Sequence, residues 1–247
     1  MHLLASTSGI ISDQNDAIDL CQSPGDIVIL SAADSDLACL SAAFQSVVPG
    51  KHSLRLANLL QLNHNLSVDL YIEKTLCHAR LIIIRLIGGR NYWLYGLSEI
   101  EAIAKKFDIR LVVIPGDDKP DLELTSYSTV PPEIIERCWM YFTHGGIDNA
   151  LNLLVYANSI LGDKEPWKEP APLLKAGFYS PSIDLPSFLD IEKCWIPGRS
   201  VILITFYRAL MLSGNLEPIN SVINVIKELG FNTVSYTHLT LPTSDLV

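Results

Sequence analysis

The sequence predicts an α/β protein: an open, doubly wound parallel sheet with a helical extension, followed by the start of a second α/β unit. Three observations lead there. Short apolar runs bounded by turn residues recur up to residue 114, and amphipathic stretches of helical period separate them. After Pro131 the period is helical alone, until a new apolar run begins near Lys175.

Residues 2–5, 26–31, 54–57, 80–87 and 110–114 have the near-continuous apolar character of strands buried on both faces. Asp34 or Ser35 caps a helix that faces inward with Leu37, Leu40, Phe44 and Val47 and stops at Pro49-Gly50. Ser67 caps a second, with Val68, Ile72, Thr75 and Leu76 facing in. The capping box Ser98-x-x-Glu101 opens a third, with Leu97, Ile100, Ile103 and Phe107 on one face. Right-handed crossovers through these helices give a flavodoxin-like sheet over 1–125.

A helical hairpin over 126–162 packs on that sheet. Pro131-Pro132 opens its first helix (Ile134, Ile135, Cys138, Trp139, Phe142), Gly145-Gly146 breaks it, and Ile147, Leu151, Leu154, Ala157 and Leu161 mark the second. The proline- and charge-rich stretch 163–172 is a linker. A second α/β domain starts over 173–233, with strands at 175–179 and 201–206. Its helix, 216–229, is capped by Asn215, carries Pro218 in its first turn and ends at Gly230. Two strands and one helix do not close a core, so this domain is truncated. The Thr-, Ser- and Leu-rich segment 234–247, with Pro242, reads as a non-native tail resembling translated adapter sequence, and it is set aside together with His238.

Of the 247 residues 49% are hydrophobic and 18% charged, enough apolar material for a sizeable core. The net charge of −9 argues against a nucleic-acid partner and against a polybasic membrane signal. The longest apolar run, 81–87, is interrupted by Arg85 and too short to span a bilayer. The start Met1-His2-Leu3-Leu4 has no signal-peptide character, which points to the cytoplasm. The cysteines (Cys21, Cys39, Cys77, Cys138, Cys194) show no C-x-x-C spacing and read as buried, reduced thiols.

The most informative stretch is Arg85-Leu86-Ile87-Gly88-Gly89-Arg90-Asn91-Tyr92-Trp93-Leu94-Tyr95-Gly96. It follows a strand and precedes a helix, which places it at the carboxyl edge of the sheet, where open α/β sheets bind ligands. Two glycines allow close backbone approach, and aromatics beside arginines suit a flat, carboxylated molecule. Equally, Trp93 and Tyr95 can pack beneath the loop and Arg85 can pair internally, which is the commoner use of such side chains. Pro115-Gly116-Asp117-Asp118-Lys119-Pro120-Asp121 closes the next strand at the same edge. Its aspartates either hold a hard cation or orient an arginine such as Arg90, or they form a solvated acidic turn. Tyr207 and Arg208 end the 201–206 strand, at the mouth of an interdomain cleft or simply covering its floor. His2, His52, His64, His78 and His144 have no metal-ligand spacing. A G-x-x-x-x-G-K-[ST] phosphate loop, a G-x-G-x-x-G fingerprint and a G-x-S-x-G elbow are all absent from the sequence.

Several segments resemble, in order, the cobaltochelatase large-subunit family and its magnesium chelatase H-subunit relatives. They are Met1-His2-Leu3-Leu4, Asp26-Ile27-Val28-Ile29-Leu30-Ser31-Ala32-Ala33-Asp34, Ser53-Leu54-Arg55-Leu56-Ala57-Asn58-Leu59-Leu60-Gln61-Leu62 and Ser67-Val68-Asp69-Leu70-Tyr71. The 88–96 loop, Pro115-Gly116-Asp117-Asp118, Ile204-Thr205-Phe206-Tyr207-Arg208 and Leu216-Glu217-Pro218-Ile219-Asn220 continue the series. The resemblance implies an amino-terminal fragment of a subunit that holds hydrogenobyrinic acid a,c-diamide while cobalt, the substrate metal, is inserted. It also implies AAA-type motor subunits as partners, which bind ATP with Mg in place of this chain. Candidate substrate-binding residues are Arg85, Gly88, Gly89, Arg90, Tyr92, Trp93, Tyr95, Tyr207 and Arg208. No metal ligands are expected here, and the catalytic residues are expected outside the fragment, which would be inactive alone. The alternatives are a porphyrin-binding magnesium chelatase subunit, or a non-catalytic flavodoxin-like binding or docking module. For the module, Ala5-Ser6-Thr7-Ser8-Gly9 is a weak phosphate-loop candidate.

Overall fold

The computed structural model describes residues 16–46, 52–172, 176–183 and 185–238. The predicted strand at 2–5, the loop 5–9, Val47 and Pro49-Gly50 lie outside the described residues. The chain divides between Ala171 and Pro172 into two compact units.

The first unit runs β1 (Ile27–Ser31), α1 (Asp34–Ser46), β2 (Leu54–Asn58), α2 (Asn65–Lys74), β3 (Leu81–Leu86), α3 (Leu94–Phe107) and β4 (Arg110–Pro115). The short α4 (Leu122–Thr125) and the hairpin α5 (Pro132–His144) and α6 (Ile147–Ile160) follow. The four strands are parallel in the order β2-β1-β3-β4, with Ile27 opposite both Leu54 and Leu81, and Leu81 opposite Arg110. Alternating side chains feed two cores. Val28, Leu30, Ile82, Ile84, Leu111 and Val113 face α2 and α3. Ile27, Ile29, Leu81, Ile83, Val112 and Ile114 face α1, α5 and α6. The predicted α/β sheet with helices on both faces is therefore present.

Helix starts and faces differ in detail from the sequence reading. α1 buries Cys39, Leu40 and Ala43 while Phe44 is 40% exposed, because small side chains let α1 lie close to α6. α2 is capped by His64, whose Nδ1 accepts from the Leu66 amide at 3.1 Å. Ser67 is instead buried and accepts from the Ile18 amide. α3 begins at Leu94, so Ser98 lies inside the helix and does not cap it, and Phe107 points outward. The thiols divide: Cys39 and Cys138 are buried, Cys77 is intermediate, and Cys21 and Cys194 are exposed, contrary to the expectation that all are buried.

The stretch expected to be a linker is, up to Ala171, a strap on the first unit. Arg137 holds Glu169 through Nε and Nη2 at 2.9 and 3.1 Å, and its guanidinium lies 4.7 Å from the Trp167 ring centroid. The Asn149 side chain both donates to and accepts from the Ala171 backbone.

The second unit runs β5 (Gly177–Tyr179), α7 (Phe188–Glu192), β6 (Val201–Tyr207), α8 (Arg208–Leu212), α9 (Glu217–Glu228) and β7 (Asn232–His238). Its sheet has the order β5-β7-β6, with β7 antiparallel to β5 and parallel to β6. The stretch 234–247, set aside as a non-native tail, forms a strand as far as His238, and 239–247 lie outside the described residues. β7 is the central strand, and Val234, Ser235 and Thr237 are buried within it. α9 starts after Leu216 without a side-chain cap, so Asn215 does not play the part expected of it.

Candidate ligand cleft at the sheet edge

Arg85 is the penultimate residue of β3, and the strand's alternation aims it at the first turn of α1. Its Nη1 donates to both Asp36 carboxylate oxygens at 2.7 Å, and its Nη2 donates to the Gly116 carbonyl at 2.7 Å. The guanidinium also lies 5.4 Å from the Phe142 ring centroid, and the Ser31 hydroxyl donates to Asp36 at 2.6 Å. The crevice between β1 and β3, where the strand order reverses and where such sheets commonly bind ligands, is thus filled by an internal ion pair. Arg85 ties α1, β3 and the loop after β4 together, and its charge is spent inside the fold.

Beyond β3, Gly88 and Gly89 take φ of 91° and 74°, the left-handed region that glycine adopts without strain. The chain then makes one 3₁₀ turn and enters α3. That turn places Arg90 against Glu123 of α4, Nη2 to Oε1 at 2.9 Å. Tyr92 is 53% exposed. Trp93 goes the other way: it is buried, and its indole N–H donates to the Leu62 carbonyl at 2.8 Å. Gly96 is needed beneath it, since a Cβ there would sit 2.2 Å from the indole ring. The Tyr95 hydroxyl donates to Asp69 of α2 at 2.7 Å, and that hydrogen bond to a carboxylate is the main reason its phenol is pushed up to about 12. Trp93 and Tyr95 therefore fasten the loop to the α2–α3 face, where packing a large ring outweighs presenting it to solvent.

A cleft of about 620 Å³ remains at the carboxyl ends of β3 and β4, floored by Leu86 and Pro115 and walled by Gly88, Gly89, Asp117 and Asp121. An apolar groove of about 430 Å³ adjoins it between α4 and α5, with Leu122, Ile135 and Trp139 along it. Leu122 is 85% exposed, and the Trp139 indole N–H donates to the Asp117 carbonyl at 2.9 Å. The Asp117 carboxylate accepts from the Lys119 amide and Asp121 caps α4, which is ordinary turn and cap chemistry. Among the described residues no cluster of three His, Cys, Asp or Glu is placed to hold a metal. No helix among them is long and apolar enough to cross a membrane.

The structure brings Gly88 and Gly89 to the cleft, pairs Arg90 with Glu123 of α4, and leaves Tyr92 exposed beside Gly88. It turns Arg85, Trp93 and Tyr95 to structural contacts. Tyr207 and Arg208 belong to the second unit. Tyr207 is 54% exposed at the carboxyl end of β6 and caps α8, and burial pushes the Arg208 guanidinium below its ordinary value. Leu122, Ile135 and Trp139 were not anticipated as site residues. Ile135 and Trp139 are four apart on α5, a spacing that equally marks a core stripe, and the sequence holds no signal that α4 would open a groove beside them.

Residues 139–245 match the model of the CobN/magnesium chelatase family. The chain is 41% identical over 239 residues to an aerobic cobaltochelatase subunit CobN from a Sinorhizobium species, a match covering 93% of this chain and 19% of that protein. It is 36% identical over 233 residues to the aerobic cobaltochelatase subunit CobN of Pseudomonas aeruginosa, covering 94% of this chain and 19% of that relative. This chain belongs to the CobN/magnesium chelatase family. It spans about one fifth of the length of those curated relatives. The catalytic subunit of cobaltochelatase from Mycobacterium tuberculosis has the same fold, with a TM-score of 0.65 at 24% identity, over 89% of this chain and 16% of that one. At the β3–β4 edge a glycine turn, the Lys119 cation and an apolar wall adjoin one another.

Proposed function

We propose that this chain is a portion of the tetrapyrrole-holding large subunit of an ATP-dependent cobaltochelatase. That enzyme inserts cobalt into hydrogenobyrinic acid a,c-diamide during cobalamin biosynthesis in the cytoplasm. The observation that carries the reading is similarity over more than nine-tenths of the chain to two proteins named aerobic cobaltochelatase subunit CobN. The sequence contains no phosphate loop, which fits a division of labour in which AAA-type partner subunits bind ATP and Mg.

Insertion requires pyrrole protons to leave, the macrocycle to bend, and the hydrated metal to shed water. This chain's share of that task is to hold. Gly88 and Gly89 let a flat ring approach the backbone, Tyr92 and the Leu122–Trp139 wall offer apolar surface, and Arg90 can exchange Glu123 for a substrate carboxylate. The proton-transfer and metal-handling groups belong to the rest of the subunit, so the fragment alone is inactive.

Tryptophan fluorescence of the 247-residue chain, titrated with hydrogenobyrinic acid a,c-diamide, tests the cleft, because Trp139 lines the groove that adjoins it. Saturable quenching is expected, and Arg90→Ala with Leu122→Glu should weaken it by about tenfold or more. Quenching unchanged in that variant, or absent from a chain with native circular dichroism, removes the cleft from the substrate path. The complete subunit with its motor partners and ATP tests the reaction itself. Magnesium insertion into a porphyrin in place of cobalt insertion would favour the other branch of the family.

A further inference from the structure

The second unit carries a hollow of a different chemical character from the β3–β4 cleft. It lies at the amino-terminal ends of the parallel pair β6 and β7 and encloses about 180 Å³. Arg199 and Lys227 both line it, with the hydroxyls of Ser180 and Ser182, and no carboxylate is among its lining residues. Neither cation forms an ion pair with a carboxylate among the described residues. In a chain of net charge −9, two cations sharing one hollow without a counter-charge is an electrostatic exception.

The loop that presents Arg199 is fixed in place. Asn232, buried at the start of β7, accepts from the Ile196 amide at 2.9 Å and donates to the Ile196 and Arg199 carbonyls at 3.0 and 3.2 Å. The Asn232 amide donates to the Ser200 carbonyl at 2.8 Å. One buried side chain therefore clamps the 196–199 turn at both ends and sets the backbone from which Arg199 extends. Lys227 comes from the last turn of α9, and the Trp195 indole, donating to the Thr233 carbonyl at 3.2 Å, forms part of the wall. Preorganisation of this kind lowers the ordering cost of binding.

We propose that this hollow is an oxyanion site, in which Arg199 and Lys227 pair with a carboxylate or phosphate group and Ser180 and Ser182 donate hydrogen bonds to it. The volume is below the range of roughly 300–1,000 Å³ typical of sites for drug-sized ligands. It therefore takes a small anion, or one acidic arm of a larger molecule, and not a whole macrocycle. The site belongs to the second unit and does not depend on the chelatase reading.

The test uses the indole resonances of the ¹⁵N-labelled 247-residue chain, with Trp195 assigned through Trp195→Phe. Orthophosphate and succinate are titrated separately at constant ionic strength. A saturable shift of the Trp195 indole is expected, with Trp93, Trp139 and Trp167 unmoved. Arg199→Gln and Lys227→Gln should each weaken it about tenfold, as loss of a charge-assisted contact predicts. Both side chains are exposed, so the backbone amides of β7 should report an intact second unit in each variant, and Arg199→Lys should retain part of the binding. Saturation with phosphate alone identifies a phosphate site, and saturation with succinate alone a carboxylate site. A shift that follows ionic strength, fails to saturate with either anion, or persists when both cations are replaced overturns the proposal.

Discussion

β3 and β6 have closely similar sequences, Leu-Ile-Ile-Ile-Arg-Leu and Val-Ile-Leu-Ile-Thr-Phe-Tyr, yet the two strands are covered very differently. Every residue of β3 except Arg85 is buried, whereas β6 leaves Val201, Leu203 and Tyr207 exposed, Leu203 at 63%. β3 has strands on both sides and helices over both faces. β6 is an edge of a three-stranded sheet with α9 packed against it. An apolar run makes a strand in either place, but its energetic weight depends on what covers it.

The sharpest test pairs one substitution from each strand. Ile83→Ala, fully buried, should cost about 2–5 kcal/mol of stability, while Leu203→Ala should stay within about 0.5 kcal/mol. Urea unfolding followed by probes in each unit would measure both, and equal losses would break the contrast. A second pair compares two arginines a few residues apart. Arg85→Ala leaves Asp36 charged and largely enclosed and should cost about 3 kcal/mol, whereas Arg90→Ala removes an exposed pair worth up to about 1 kcal/mol. Thermal unfolding reads both, and comparable shifts would mean that the Arg85 network is weaker than its geometry implies.

Thiol labelling extends the contrast at smaller energetic cost. Burial pushes Cys138 up to about 12 and Cys39 up to about 11, so neither forms appreciable thiolate near neutrality, while Cys194 and Cys21 are exposed. Iodoacetamide followed by peptide mass mapping should modify Cys194 and Cys21 well before the buried pair. Early modification of Cys138 would show that α5 opens readily from the first unit's core.

The smallest effect concerns Tyr95. Its folded-state pKa is raised to about 12, chiefly by the hydrogen bond to Asp69, so the linked stability is fully present below its ordinary value of about 10. That stability is lost as pH rises toward about 12. Absorbance titration of tyrosinate against Tyr95→Phe should show a phenol ionising in that upper range, and Tyr95→Phe should lack this part of the alkaline decline. A Tyr95 that ionises near the ordinary value would mean that the loop is not fastened through Asp69.

Much of the fold could be read directly because its signals are local. The four described strands of the first sheet were marked by apolar runs, the α5–α6 break by Gly145-Gly146, and the end of α9 by Gly230. The site was legible only in position. Its place at a carboxyl sheet edge follows from strand–loop–helix order, but the roles of its side chains do not. Trp93 and Tyr92 are adjacent aromatics, and only the meeting of Trp93 with the Leu62 carbonyl, 31 residues away, separates a buried anchor from an exposed ring. β7 was missed because its Thr- and Ser-rich composition hides a central strand, whose buried polar side chains sit between two neighbours supplied from elsewhere in the chain.

By itself, then, the sequence determined the four described strands and the main helices of the first unit, the α/β class of the sheet and the family, since each rests on local periodicity or on the order of residues along the chain. The tertiary structure alone decided that Arg85 is spent on Asp36, that the open cleft lies at the β3–β4 edge and not between β1 and β3, and that Arg199 and Lys227 share one hollow. Each of these depends on side chains that come together only when segments distant in the chain are packed, and pairwise electrostatics and close packing act on distances in space, not on separations in sequence.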